Sequence, residues 1–199
     1  EQALNQSVND LAAAIALLAD KIHPQSSPAL DFALGNFHYQ NDDLGAAELA
    51  YVKATRKLPS FRAARNNLAR IYLTRDKPQR AMSVFQTLVR DGQGDGATYR
   101  LLGHCFDQLS QPISAESAYR HALLLEPGNT ESMRGLARSL IHQDRHIEVL
   151  ALTKELQAQS PYDEELWSLR ANAHLFLNQY DEAITAIETA ADSAALDLV

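Results

Sequence analysis

Small and large apolar residues recur along this chain at a fixed interval. The pairs Leu34-Gly35, Leu68-Ala69, Leu102-Gly103 and Leu136-Ala137 lie 34 residues apart, and Arg170-Ala171 keeps the spacing. Three residues beyond each pair stand His38, Tyr72, Phe106, Leu140 and His174. A second small position follows at Ala47, Ala81, Ala115, Val149 and Ala183. Next come Tyr51, Phe85, Tyr119, Thr153 and Ile187, and then Ala54, Leu88, Ala122, Leu156 and Ala190. Spacings of three and four place each set on one face of a helix, so every copy predicts two helices. Polar runs separate them at Asn41-Asp42-Asp43, Arg75-Asp76-Lys77-Pro78, Ser110-Gln111-Pro112, Gln143-Asp144-Arg145 and Asn178-Gln179-Tyr180-Asp181. Pro59, Pro127 and Pro161 close three copies, and Trp167 opens the fifth.

The spacing has a mechanical reading. Gly35, Ala69, Gly103, Ala47, Ala115 and Ala183 let helix backbones approach, and Tyr51, Tyr72, Phe85, Phe106 and Tyr119 fill the space between neighbours. A single helix pair cannot bury its own apolar face, so stability has to come from stacking. The motif resembles the tetratricopeptide repeat, W-x2-L-G-x2-Y followed by A-x3-F and P over a 34-residue period. The resemblance runs over residues 28–192 in one register without insertion. It implies an all-α solenoid, a right-handed superhelix of five helix-turn-helix repeats at 28–61, 62–95, 96–129, 130–163 and 164–199, preceded by a helical segment at 1–27.

Three departures qualify that expectation. The fourth copy carries Val149, Thr153 and Leu156 where the motif prefers Ala, an aromatic and Ala, which predicts less regular stacking of its second helix. The fifth has Arg170 in place of Leu. The second ends in Asp91-Gly92-Gln93-Gly94-Asp95-Gly96 rather than a proline turn, which predicts a looser joint.

At the amino end, Leu4, Val8, Leu11, Ile15, Leu18 and Ile22 form the seam of a helix packed along one partner. His23-Pro24 and Ser27-Pro28 stop it. The helix is read as a cap on the first repeat; the closing helix of an earlier repeat and a dimerising helix are the alternatives. At the other end Leu196, Leu198 and Val199 are apolar, with no polar closing helix of the kind solenoids use. The chain starts at Glu1 rather than Met, as expected of a processed protein or a segment of a longer one.

Composition then narrows the function classes. Only 8 Gly and 7 Pro occur in 199 residues, too few for a fold of many short strands. A single cysteine, Cys105, excludes an internal disulfide framework and a multi-cysteine zinc site. The formal charge of −7 disfavours nucleic acid as a partner. The longest apolar run, Leu11 to Ala19, is too short for direct membrane insertion. No nucleophile-elbow, phosphate-loop or zinc-protease motif is present, so neither catalysis nor a cofactor is expected. The 91–96 run looks like the start of a calcium loop, but its twelfth position is Leu102, so it reads as an inter-repeat turn. His142 and His146 have metal-ligand spacing yet flank a predicted turn, so no metal site is assigned. His38 and His174 sit at a packing position, and Cys105 is expected to be an inert buried thiol.

In this family the first helices line a concave groove. The resemblance places its contact side chains at the fifth, sixth and ninth residues of each repeat. These are Phe32, Ala33 and Asn36; Asn66, Asn67 and Arg70; Arg100, Leu101 and His104; Arg134, Gly135 and Arg138; and Ser168, Leu169 and Asn172. All four charged members are arginines. With His104 and His142 nearby they predict a ladder for acidic side chains or a terminal carboxylate. The asparagines suit an extended peptide backbone, and Phe32, Tyr39, Leu101 and Leu169 suit apolar anchors. The opposing expectation is that Glu131, Glu165 and their neighbours pair with the arginines and leave a merely solvated groove. The chaperone-tail clamp of this family is excluded: Asn36 and Asn67 match it, but Phe32, Ala97 and Leu101 stand where its cations belong. The expected function is a non-enzymatic scaffold or adaptor binding a peptide or protein segment. A self-assembling module using its two ends, and the substrate-selecting part of a larger enzyme, are the alternatives. Nothing in the sequence selects a compartment.

Overall fold

The computed structural model describes residues 2–159 and 163–196, with side chains at 10–157 and 163–191. Pro161, Leu198 and Val199, and the side chains of Leu4, Val8 and Leu196, lie outside these described positions. The described residues form eleven helices and no strand: α1 (Gln2–Asp20), α2 (Pro28–Gln40), α3 (Leu44–Lys57), α4 (Arg62–Thr74), α5 (Pro78–Arg90), α6 (Gly96–Gln108), α7 (Pro112–Leu125), α8 (Thr130–Ile141), α9 (His146–Gln159), α10 (Glu164–Phe176) and α11 (Tyr180–Leu196). None is long and apolar enough to cross a membrane. The chain divides into two compact units, 1–93 and 94–199, and the division falls inside the glycine-rich 91–96 run.

The helix boundaries follow from local chemistry. Pro28, Pro78 and Pro112 open α2, α5 and α7, where a missing N–H leaves no bond unmade. Asp43, Asp95, Asn129 and Asp163 cap α3, α6, α8 and α10, each side chain accepting from the N–H three residues on at 2.8–3.1 Å. The turn inside each helix pair contains one left-handed residue: Asp42, Asp76, Ser110, Asp144 or Asn178, with φ between 53° and 60°. They lie 34 residues apart. In each turn the following N–H reaches back to the carbonyl of His38, Tyr72, Phe106, Leu140 or His174 at 2.8–3.0 Å, closing a Schellman motif. Aspartate and asparagine tolerate this conformation better than other non-glycine residues, which accounts for their four appearances in five turns.

In the first unit α2 packs on α3, α3 on α4 and α4 on α5, with α1 against α2. Its central cluster is Ala47, Tyr51, Leu68 and Ile71, and Phe32 leans on it with its ring 5.8 Å from Tyr51 and 5.0 Å from Phe61. The Asp31 carboxylate is buried at 1% exposure and pairs with Lys57 at 2.5 Å. Lys57 also donates to the His23 carbonyl and the Ser26 hydroxyl, tying the segment after α1 to α3. One repeat later the same two register positions hold Arg65 and Asp91, paired at 2.7 Å with the charges exchanged. Asp91 is therefore an ion-pair partner and Asp95 a helix cap, which is the turn reading of the 91–96 run.

In the second unit α6 packs on α7, α7 on α8, α8 on α9, α9 on α10 and α10 on α11. The first helices also touch directly, α6 with α8 and α8 with α10. The core comprises Ala115, Tyr119, Leu136, Ala137, Leu140, Val149, Leu169 and Ala173. Gly103 and Gly135 face the Tyr119 ring, and a β-carbon on either would lie 2.8 or 2.3 Å from it. The irregular fourth copy is accommodated by its chemistry. Val149, Thr153 and Leu156 are all at or below 1% exposure, and the Thr153 hydroxyl donates to the Val149 carbonyl at 2.8 Å, so no polar group is stranded. Arg170 stacks over the Trp167 ring at 5.5 Å, and burial holds its guanidinium below the ordinary arginine range. Cys105 is a buried free thiol, pushed up to about 12 by that burial.

Candidate functional site

Each unit carries a pocket on its first helices, floored by the hydroxyl of a tyrosine from a second helix. In the first unit a pocket of about 230 Å³ is bordered by Asn36, Tyr39, Gln40, Tyr51, Asn67 and Arg70. Tyr51 donates to Asn36 Oδ1 at 2.8 Å, and Asn67 Nδ2 donates to Asn36 Oδ1 at 3.1 Å and to Tyr51 Oη at 3.2 Å. These bonds fix two amide planes and leave the Asn36 NH2 and the Asn67 carbonyl without a hydrogen-bond partner among the described residues. Burial raises the Tyr51 phenol, so it stays a neutral donor. Arg70 is exposed beside them, and among the described residues its guanidinium has no ion-pair partner.

In the second unit a cleft of about 450 Å³ is lined by Arg100, Leu101, His104, Tyr119, Glu131, Arg134, Arg138 and Glu165. Its arginines are all paired. Arg100 meets Glu131 at 2.5 Å, Arg134 meets Asp163 at 2.7 Å and Glu165 at 3.9 Å, and Arg138 meets Glu165. Behind them Tyr119 donates to Asp107 Oδ2 at 2.7 Å, while Asp107 Oδ1 is buried with no hydrogen-bond partner. Burial pushes the Asp107 carboxyl up, against the pull of the Tyr119 hydrogen bond and of Arg138. The Tyr119 phenol is raised by burial and by Asp107.

The structure brings most of the expected site residues to these two places. Asn36, Tyr39, Asn67 and Arg70 share the first pocket; Arg100, Leu101, His104, Arg134 and Arg138 share the second cleft. Asn66 on α4 is half-buried, and Asn172 on α10 is exposed outside both. His142, at the end of α8, borders a separate hollow with Asp107, Ser110, Gln111 and Pro112. His146 begins α9, is buried, and stacks on Phe176 at 4.7 Å. Two of the expected anchors are engaged in packing. Leu169 is a core residue packed in the Tyr119–Leu136–Val149 cluster, and Phe32 spends much of its face on Tyr51 and Phe61. Of the four ladder arginines only Arg70 is unpaired among the described residues; Glu131, Asp163 and Glu165 pair with the other three, as the opposing expectation had it for Glu131 and Glu165. Reading the groove by position missed Tyr51 and Tyr119, which reach the pockets from behind. The signal was a tyrosine rather than phenylalanine at a packing position, since a buried hydroxyl demands a partner.

Stacked antiparallel helix pairs with polar pockets on their first helices define a helical-repeat binding protein. The chain belongs to the tetratricopeptide repeat family, whose models match residues 79–199 and 32–96. Among curated proteins it is similar to anaphase-promoting complex subunit 3 of Schizosaccharomyces pombe, 24% identical over 140 residues that make up 66% of this chain. The match spans 21% of that protein's length. Among solved structures it is similar to MamA, with a TM-score of 0.78 at 16% identity over 83% of this chain and 91% of that one. It is also similar to YrrB, described as a TPR protein with an unusual peptide-binding site, with a TM-score of 0.75 at 20% identity over 82% of this chain and 84% of that one.

Proposed function

We propose that this protein is a non-enzymatic interaction scaffold that captures an acidic or carboxylate-bearing peptide segment on its first-helix face, with the Arg70 pocket as the principal contact. The observation that carries this reading is an exposed guanidinium, unpaired among the described residues, beside two amides already locked in place. A peptide carboxylate gains a charge-assisted bond from Arg70 without displacing an internal partner. The Asn36 donor and the Asn67 acceptor then read the peptide backbone. A YrrB-like role in peptide recognition is consistent with the shared fold.

The test is fluorescence anisotropy with a labelled hexaglutamate peptide. Arg70→Met weakens binding at least fivefold, and raising the salt from low to physiological concentration weakens it further. Equal binding by the wild type and Arg70→Met refutes the assignment. A second reading, self-association through the last helix pair, draws on Ile184 and Ile187, which are 55% and 58% exposed. Light scattering of the wild type and Ile184→Ser/Ile187→Ser measures it: a monomer in both removes this reading.

A further inference from the structure

The second cleft holds three arginines, yet it presents no free positive charge among its lining residues. The way they are paired differs. Asp163 is a fixed partner: its side chain is 12% exposed, and its other oxygen caps α10 through the Leu166 N–H. Glu131 and Glu165 are 60% and 40% exposed and make no such second bond to backbone. Glu131 engages Arg100 through Nη1, and Arg100 Nε is buried away from solvent with no hydrogen-bond partner, so the Nη side carries the exchangeable contact. Glu165 is shared between Arg134 and Arg138, two groups for one carboxylate.

We propose that Glu131 and Glu165 are built-in competitors, seated where the carboxylates of an acidic peptide would bind and released outward when such a peptide enters. The ligand class is a segment with at least two carboxylates, one for Arg100 and one for Arg138. It competes because neither internal pair is saturated: Glu131 meets Arg100 through Nη1 and is largely exposed, and Glu165 divides one carboxylate between two guanidiniums. The two glutamates thereby set a threshold: singly charged segments leave the cleft closed. Partly exposed pairs of this kind are weak enough to exchange. The inference rests on the peptide-binding reading above and extends it to a second site.

The experiment is run in the Arg70→Met background, so that the first pocket is silent, again with labelled hexaglutamate. Adding Glu131→Gln/Glu165→Gln raises affinity about tenfold, the combined effect of freeing two partly exposed pairs. Adding Arg100→Met/Arg138→Met on top abolishes the gain. A control, Glu155→Gln/Glu188→Gln, makes the same change in net charge at exposed positions elsewhere in the unit and leaves affinity within twofold. No gain from freeing the arginines, a gain that survives their removal, or an equal gain in the control overturns the proposal. The Arg70 dependence of the wild type is read separately, so loss of one reading is distinguishable from loss of the other. Thermal unfolding of each variant confirms that it is folded.

Discussion

Gly135 lies in the interior of α8, where replacing glycine by alanine ordinarily strengthens a helix by about 1 kcal/mol. Here the structure predicts the opposite sign. A β-carbon on Gly135 would lie 2.3 Å from Tyr119 Cζ and 2.4 Å from Cε1, more than an ångström inside contact distance. The ring cannot retreat. Gly103 also lies against it, where a β-carbon would be 2.8 Å away, and the hydroxyl is held by Asp107 at 2.7 Å. Overpacking of a tight core costs about 1–3 kcal/mol, and so constrained a ring puts Gly135→Ala at the upper end. After the helix gain is subtracted, the net loss is about 2 kcal/mol. At about 2–4 °C per kcal/mol for a chain of this size, Tm falls by about 4–8 °C. Gly45→Ala is the matched control: it sits near the start of α3, its nearest neighbour would be Asp43 Oδ1 at 3.5 Å, and the substitution raises Tm. The assay is thermal unfolding followed by circular dichroism at the helical band. Shortening the ring in Gly135→Ala/Tyr119→Leu recovers part of the loss, giving a coupling energy of at least about 0.5 kcal/mol. A Gly135→Ala protein as stable as the wild type refutes the claim that glycine is there for the tyrosine.

Lys57→Met leaves the buried Asp31 carboxylate without its partner and is expected to cost about 3 kcal/mol, whereas Asp31→Leu/Lys57→Met recovers most of it; urea unfolding measures both, and a single-variant loss under ~0.5 kcal/mol contradicts the pairing. The same variant increases amide exchange across residues 21–27, which Lys57 holds through His23 and Ser26. Two carboxyls give pH slopes of opposite sign. Burial raises Asp107 above its ordinary 3.8, so the folded state binds its proton more tightly than the unfolded one, and its contribution to stability falls as pH rises through that window. Burial also opposes ionisation of Glu116, but hydrogen bonds from Gln143, Arg120 and Arg145 outweigh it and hold the group below 4.5, so its contribution is present above that value and lost as pH falls. The stability of Asp107→Asn relative to wild type therefore rises with pH between 3 and 7, and that of Glu116→Gln declines; slopes of the same sign refute the assignment.

The fold was legible because it rests on close packing, and packing leaves a periodic trace. Gly35 against Tyr51 and Gly103 against Tyr119 are visible in sequence as a small residue and a large one sixteen positions apart, and they meet in space. The turns were legible for the same reason, since a left-handed residue every 34 positions restricts which side chains fit. The site was legible in position, and its charge only as two opposed alternatives. Arg100 and Arg134 fall on the expected face, and Glu131 and Glu165 are legible as candidate partners 31 residues later, but Asp163, which meets Arg134 at 2.7 Å, is not. A residue's register says which way it faces; it does not say which neighbour in the next repeat reaches across to it.

The ion pairs sharpen that distinction. Asp31–Lys57 and Arg65–Asp91 occupy the same two register positions with the charges exchanged. Glu48 collects Arg75, Lys77 and Arg80, and two repeats on Glu116 collects Arg120 and Arg145. What recurs is the requirement that a polar group at that site find a complement, because burying it alone costs more than the pair returns. Sign is free to vary from repeat to repeat as long as both members change together. Pairs built this way can change sign without altering the fold, and Arg70, exposed on α4, has no ion-pair partner among the described residues. A partner's carboxylate at Arg70 would complete the rule that Glu131 and Glu165 satisfy internally for the arginines of the second unit.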